Sequence, residues 1–354
     1  MKQTIIYILG LLLLASCSTE WDPYANKKFQ TFSNQDFKTT INLKARKPDL
    51  FIDSLIRPGR LVIIGDYLLI AESKGSHPIH SFNLKTKAYK GLNTFGEGPG
   101  EIMMPWWLSK VNDNSVLVFD AAQRKVLNFD IDTLLTKGKP VFEKKIKEQR
   151  FITTPLMVGD EIYYLFNDFG KKRLYSINIK TGEENSYGDL LTKKTSSTTD
   201  LVQVQANQAY MNYSNQKIYI AYKFTPFIEV FDCKLKIWEA MKGPESFNPI
   251  YAEQNMNKVP RLAHIPGKTL YAYLDIATTE NFIYLLYQGE NVSAETKEKL
   301  LYNAHNIYVF DKQGAFVKHY KLDKGIRFLT VYKDTVIYGI NYEFVPELVE
   351  YKLK

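Results

Sequence analysis

Leu14-Ala15-Ser16-Cys17 is the first grouping in the chain whose residue types could carry chemistry. Small residues directly before a cysteine form a lipobox, the pattern at which a bacterial thiol is acylated and the preceding segment removed. Met1-Lys2 and the apolar run from Ile5 to Leu14 precede it. A run of about ten residues falls short of the ~20 that a membrane-spanning helix needs and suits a signal-peptide core. Cys17 is therefore expected to be lipidated and to begin the mature protein. Acyl chains there would anchor it, since each buried CH₂ contributes about 0.8 kcal/mol. Cys233 would then be the remaining thiol, without an intramolecular disulfide partner. Its setting, Ile228-Glu229-Val230-Phe231-Asp232-Cys233, reads as a strand with a plain buried cysteine.

Gly96-Glu97-Gly98-Pro99-Gly100-Glu101 is the second grouping. Three glycines and a proline set a tight turn. A glycine-rich loop holds phosphate when a helix N-terminus or a Lys-Ser/Thr pair follows. Here Glu97 and Glu101 would repel phosphate, and Ile102-Met103-Met104-Pro105 opens no helix. The turn reads as a crossover between structural units, with a ligand-facing loop as the alternative. Trp106-Trp107 comes next, and adjacent strand residues point to opposite faces. Either both indoles are buried, or one packs while the other reaches a rim where it can stack on a sugar or anchor a partner. Arg261 and His264 lie in a polar stretch, residues 255–268, broken by Pro260 and Pro266. That stretch and residues 181–200 read as long loops, which often carry function. The candidate ligand-binding residues are thus Glu97, Glu101, Trp106, Trp107, Arg261 and His264. No catalytic residue is nominated: GxSxG and HExxH are absent, and His77 and His80 read as a turn and a surface residue.

Those residues need a scaffold, and the chain repeats one pattern six times. A polar turn precedes a strongly apolar strand at Asp66–Ala71, Asn114–Phe119, Asp160–Leu165, Gln216–Ala221, Asn281–Leu286 and Asp334–Gly339. A second strand follows each, for example Ile79–Leu84 and Ile307–Asp311. In the fifth copy the gap is longer, and residues 293–302 suit a short helix. Periods of 40–60 residues mean propeller blades or solenoid turns. The first strand of each pair is apolar on both faces, as in Ile283-Tyr284-Leu285-Leu286-Tyr287, whereas a half-covered sheet would alternate. Radially stacked blades bury both faces. The expected fold is an all-β six-bladed propeller over residues 37–354, preceded by a signal peptide (1–16) and a lipidated, flexible tether (17–36). Twenty extended tether residues reach at most about 65–70 Å. The last copy ends at Lys354, so blade six lacks an outermost strand. Phe37–Leu43 alternates with period two and is expected to fill that slot against Leu348–Leu353, closing the ring.

Composition narrows the classes further. Hydrophobic residues are 45% and charged residues 24% of 354, which fits a globular chain. The 24 Tyr and 21 Phe lean toward β structure. Two cysteines exclude a disulfide scaffold, a Cys-rich zinc module and an iron–sulfur protein. The net charge of +8 is spread over dispersed lysines, which suits solubility or a membrane surface and gives no nucleic-acid footprint.

The lipobox, the six repeats and the G-x-G-P-G-E turn together resemble the TolB-like six-bladed propeller lipoprotein family. The resemblance runs from Cys17 to Lys354 and implies a secreted, membrane-anchored propeller without a settled activity. The expected function is a lipid-anchored binding or scaffolding module of a Gram-negative cell envelope. The outer membrane is the expected site, facing the periplasm or the exterior. The ligand would be an envelope protein, a peptide or a glycan, and the chain a monomer that is more a binder than an enzyme. The alternative is a lactonase-like hydrolase, since six-bladed propellers include lactonases that hold calcium at the channel mouth. Calcium needs six to eight oxygens. Glu97, Glu101, Asn167, Asp168, Asp275 and Asn341 could supply some, so calcium is the one cofactor kept open and no metal site is assigned. Asp53-Ser54-Leu55, Asp132-Thr133-Leu134 and Asp334-Thr335-Val336 match an O-glycosylation pattern, with Thr335 disfavoured at a strand start.

Overall fold

A computed structural model describes residues 29–50, 55–146, 151–167, 170–191, 200–291 and 303–353. Cys17, the signal peptide, most of the tether, Ser54, Asp168 and the insertion at 293–302 lie outside the described residues.

Six antiparallel sheets form a ring. Blade one contains Pro58–Ile64, Tyr67–Glu72, Ile79–Asn83 and Tyr89–Leu92, from the axis outward. Blade two contains Pro105–Asn112, Ser115–Asp120, Lys125–Asp130 and Phe142–Lys145. Blade three contains Ile152–Val158, Glu161–Phe166, Lys172–Asn178 and Glu184–Asp189. Blade four starts with Ala209–Ser214, Lys217–Tyr222, Phe227–Asp232 and Trp238–Lys242. Blade five starts with Leu270–Thr278, Phe282–Asn291, Ala304–Asp311 and Phe316–Ile326. Blade six is Phe328–Tyr332, Val336–Asn341 and Glu347–Lys352, three strands without a fourth among the described residues.

The six repeated sequence pairs are the second and third strands of the blades. The inner strands lie one step ahead of them and line the axis. Burial on both faces has a direct cause. Tyr284 and Leu286 pack into the core shared with blade six, while Ile283, Leu285 and Tyr287 pack into the core shared with blade four. Six such clusters occupy the six junctions between blades. The ring closes without a shared strand: Leu61, Leu68, Ile70 and Phe82 of blade one pack against Tyr338, Ile340 and Leu348 of blade six, and Tyr332 and Lys333 bond Asp66 across the same junction.

The N-terminal strand takes a different place from the expected one. Thr40–Leu43 pairs in parallel with His319–Leu322 on the outer edge of blade five. Gln30–Thr31 pairs in parallel with Met241–Lys242 on blade four. Blade six receives a single bridge, Arg46 to Glu350. Aromatic packing explains the choice. Phe32 and Phe37 are buried against Tyr308, Phe310 and Phe316, and Leu43 enters the core between blades five and six. The segment thus covers two blade edges that would otherwise be open pairing templates.

Two segments read as loops contain strands. Glu184–Asp189 is the outer strand of blade three, inside the 181–200 stretch. Ala252–Met256 and Val259–Ala263 form a hairpin inside 255–268 and its flank. Thr133 lies in the helix Ile131–Lys137, donating to Asp130, and Thr335 donates to Tyr332 O.

Candidate functional site

Each inner strand runs from one face of the ring, here the upper face, to the other. The ends of the channel differ. The lower mouth, about 580 Å³, is lined by both charge signs. Several of its charges have local partners: Lys110 pairs with Asp113, Asp66 with Lys85, Lys333 and the Tyr332 hydroxyl, and Asp334 accepts from Asn281 and Tyr284. The upper mouth is a funnel of about 350 Å³. Its described lining includes Arg57, Lys223 and Arg327 together with Trp106, Trp107, Tyr210, Phe328 and Tyr342, and contains no carboxylate.

A plug separates the two mouths. The buried Arg60 guanidinium of blade one pairs with the buried Asp275 carboxylate of blade five and donates to Ile276 O at 2.7 Å. Asp275 also accepts from the amide of Leu329 on blade six at 2.9 Å. The guanidinium sits 4.4 Å from the centroid of Trp107 on blade two, whose indole stacks with Tyr210 of blade four. One layer of side chains therefore crosses the axis. Burial lowers the Arg60 pKa to about 9, while nearby Tyr210 acts to raise it.

The bulges decide which side chains reach the funnel. Pairing of the inner strand with the second strand slips between Pro58 and Leu61, Pro105 and Trp107, and Thr153 and Leu156. Bulges re-aim side chains and bend strands. Trp106 is the residue left out of register on blade two and is 43% exposed, whereas Trp107 is 3% exposed. Thr154 is left out on blade three and has φ +49°, a left-handed conformation that a β-branched residue rarely holds. Such outliers persist where the surroundings over-determine them and gather at functional sites. Thr154 Oγ1 and Trp107 Nε1 are both buried without a hydrogen-bond partner.

Acids at the ends of second strands fix the funnel backbone. Glu72 accepts from the amides of Ile56, Arg57 and Lys74. Buried Asp120 accepts from Met103, Met104, Ala122 and Gln123, which sets the approach to Trp106. Burial pushes the Glu72 carboxyl above its ordinary pKa, against those amide bonds.

Lys223 follows the second strand of blade four and is half-buried. Its ammonium lies 4.9 Å from the Tyr271 ring centroid and 5.2 Å from that of Phe224. Burial, then repulsion from Arg327, lower its pKa to about 8. His264 accepts from or donates to the Tyr271 hydroxyl at 3.1 Å and tilts against Phe224, so it belongs to the same wall. Its pKa is lowered by burial and by Lys223.

Of the six candidates from sequence, Trp106 and Trp107 line the funnel and His264 adjoins it. Arg261 is exposed on the hairpin strand Val259–Ala263. That hairpin is tied to the helix Asp200–Ala206 through Leu262 N to Gln205 Oε1 at 2.7 Å. Glu101 lines a separate cavity at the outer edge between blades one and two. Its carboxylate accepts from Gly98 N at 2.8 Å, closing the turn. A Cβ on Gly96 would meet that carboxylate at 2.0 Å and displace it from the turn, and Gly100 holds φ +74°, a conformation that favours glycine. Gln123 and Lys125 donate to Gly96 O and Gly98 O. The G-x-G-P-G-E turn is therefore an inter-blade crossover, with Glu97 exposed at its tip.

The oxygen donors considered for calcium are split. Asp275 serves the plug, Asn167 lines the funnel and is bound by Gln208, and Asn341 bonds Gly325 O and Glu343 N. Among the described residues no group of three or more His, Cys, Asp or Glu side chains could hold a metal ion. Cys233 is half-buried and burial raises its thiol pKa to about 11, which keeps it protonated at neutral pH. Sequence reasoning missed Arg57, Arg60, Thr154, Lys223 and Arg327. An arginine or lysine directly after an apolar second strand, or beside a proline ahead of one, was the available signal.

No curated protein sequence matches the chain significantly. Among solved structures it resembles a member of the DUF4221 family from Bacteroides vulgatus, at 11% identity and TM-score 0.55, over 88% of this chain and 95% of that one. It also resembles a Bacteroides fragilis protein described as exported, at 13% identity and TM-score 0.52, over 89% and 100% of the two chains. A streptogramin B lyase aligns at 11% identity and TM-score 0.50, over 88% and 98%. These likenesses concern the fold alone. The family described as TolB-like 6-blade propeller-like matches residues 31–334, and the chain belongs to it.

Proposed function

We propose that this chain is a lipid-anchored binding module of the cell envelope, and that its upper face holds a protein, peptide or glycan. The upper funnel carries this reading: an open cavity of about 350 Å³ with positive charge, aromatic walls and a sealed floor. Among the described residues, eight of the eleven exposed large hydrophobic side chains lie toward the upper face, among them Ile56, Met103, Trp106, Met256, Phe344 and Val345. Concentrated apolar exposure marks interaction surfaces. The Leu14–Cys17 motif and the polar stretch after it support anchoring, with the outer membrane of a Gram-negative envelope as the site. The lactonase alternative gains no support, because Glu101 caps its own turn and Asp275 is engaged by Arg60.

The test is photo-crosslinking in intact cells, with a probe at Trp106 on the upper rim and another at Leu235 in the lower turn of blade four. One dominant adduct from Trp106, absent from Leu235, is expected. Equal labelling from both positions would contradict the reading.

A further inference from the structure

Three residues that line the funnel bring donors to it, two of them buried atoms without an acceptor. Trp107 Nε1 and Thr154 Oγ1 are buried in side chains 3% exposed and make no hydrogen bond. The Lys223 ammonium faces two aromatic rings and Arg327, and no carboxylate pairs with it among the described residues. An indole N–H can only donate and an ammonium can only donate. Leaving such groups unpaired is costly, and a charge-assisted hydrogen bond is the strong way to satisfy them. Among the described residues no lining side chain supplies negative charge. The aromatic wall of Trp106, Phe328 and Tyr342 suits a flat or ring-shaped body beside the charged group.

We propose that the upper funnel is a binding site for an oxyanion, a carboxylate or a phosphate, borne on a ring-containing ligand. Lys223 Nζ, Trp107 Nε1 and Thr154 Oγ1 supply the donors. This rests on the reading of the funnel as a binding site and names its ligand class. The bulge at Thr154 and its φ of +49° acquire a purpose, because a regular strand would turn that hydroxyl elsewhere. The groups facing Lys223 are Arg327 at the start of blade six, Tyr271 of blade five and His264 from the connection that leads into blade five. Two of those are cationic or able to become so, so an incoming anion relieves repulsion as it binds. Burial, then Arg327, lower the Lys223 pKa to about 8, so anion affinity should fall as pH rises past that value.

The experiment is ligand-observed NMR on the full chain in detergent, with benzoate, phenyl phosphate and benzamide as probes. At pH 7 one or both anions should bind about ten-fold more tightly than neutral benzamide, the scale of one charge-assisted hydrogen bond. The two anionic arms tell a carboxylate from a phosphate ligand. Lys223→Met should abolish the preference, and Lys223→Arg should restore part of it. Benzoate affinity should drop between pH 7 and pH 10 while benzamide affinity stays level. Equal binding of all three probes, lost in Trp106→Ala, would overturn the oxyanion claim and leave the funnel as a site for neutral ligands. An anion preference that survives Lys223→Met would overturn it as well. So would no binding of any probe, and the Trp106 crosslink then decides the broader reading by itself.

Discussion

Lys223 and the Arg60–Asp275 pair set the character of the channel, and each makes a separate prediction. The Lys223 pKa is lowered by burial and by Arg327 to about 8, from 10.5. Between those pH values the unfolded chain holds more protons than the folded one, so the residue's share of stability rises with pH across that window. Below pH 8 the full penalty applies. Lys223→Met should therefore melt above the parent at pH 7, and the gap should shrink by pH 10.5. Calorimetry at the two pH values checks this, and a pH-independent gap would contradict it. Asp275→Ala leaves Arg60 charged, buried and unpaired, at a cost of about 3–5 kcal/mol in denaturant unfolding. The double change Arg60→Met with Asp275→Leu should recover most of that loss. Trp106 and Trp107 stood out in the sequence as an adjacent aromatic pair, but which indole is exposed is set by the bulge that leaves Trp106 out of register. Lys223, Arg327 and Thr154 did not stand out, because each occurs singly at a strand end or a bulge and gains meaning only when six blades bring it to one axis.

At the scale of elements, the second and third strands announced themselves through paired apolar runs. The inner strands did not. Pro58-Gly59-Arg60 and Thr153-Thr154-Pro155 break the pattern a strand should show, and those breaks are the bulges that shape the funnel. The period-two pattern of Phe37–Leu43 marked a strand correctly, but its partner depended on where Phe32 and Phe37 could bury their rings. Deleting the chain through Leu43 should lower the melting midpoint, because it strips the outer edges of blades four and five. An unchanged midpoint would mean the segment contributes nothing. His319 lies in this seam, opposite Thr40, stacked on Tyr308 and bonded to Asn306. Burial, then Lys321, lower its pKa to about 4 from 6.5. The unfolded chain binds the proton first as pH falls through that interval, so the seam weakens between pH 6.5 and pH 4. Amide exchange of Thr40–Leu43, corrected for intrinsic rates, should quicken from pH 7 to pH 5, and His319→Gln should remove the acid dependence.

For the whole molecule, six interblade cores hold the ring without any strand exchange at the closing junction. The repeat count and double-faced burial made that architecture readable in advance, whereas the asymmetry between the two mouths came from scattered single residues. The lower mouth mixes charges of both signs, and the upper one is lined among the described residues by cations without a carboxylate, beside buried donors that lack acceptors. The most direct test of the upper funnel as the binding site is a ¹⁵N-indole spectrum of the full chain during benzoate titration. The four tryptophans report from different places. Trp107 lies at the funnel floor, Trp106 at its rim, Trp238 beside Arg173 on blade four, and Trp21 in the N-terminal stretch. The account predicts that the Trp106 and Trp107 signals move together while Trp238 and Trp21 stay fixed. Saturable movement of Trp238 or Trp21, with Trp107 unchanged, would contradict it.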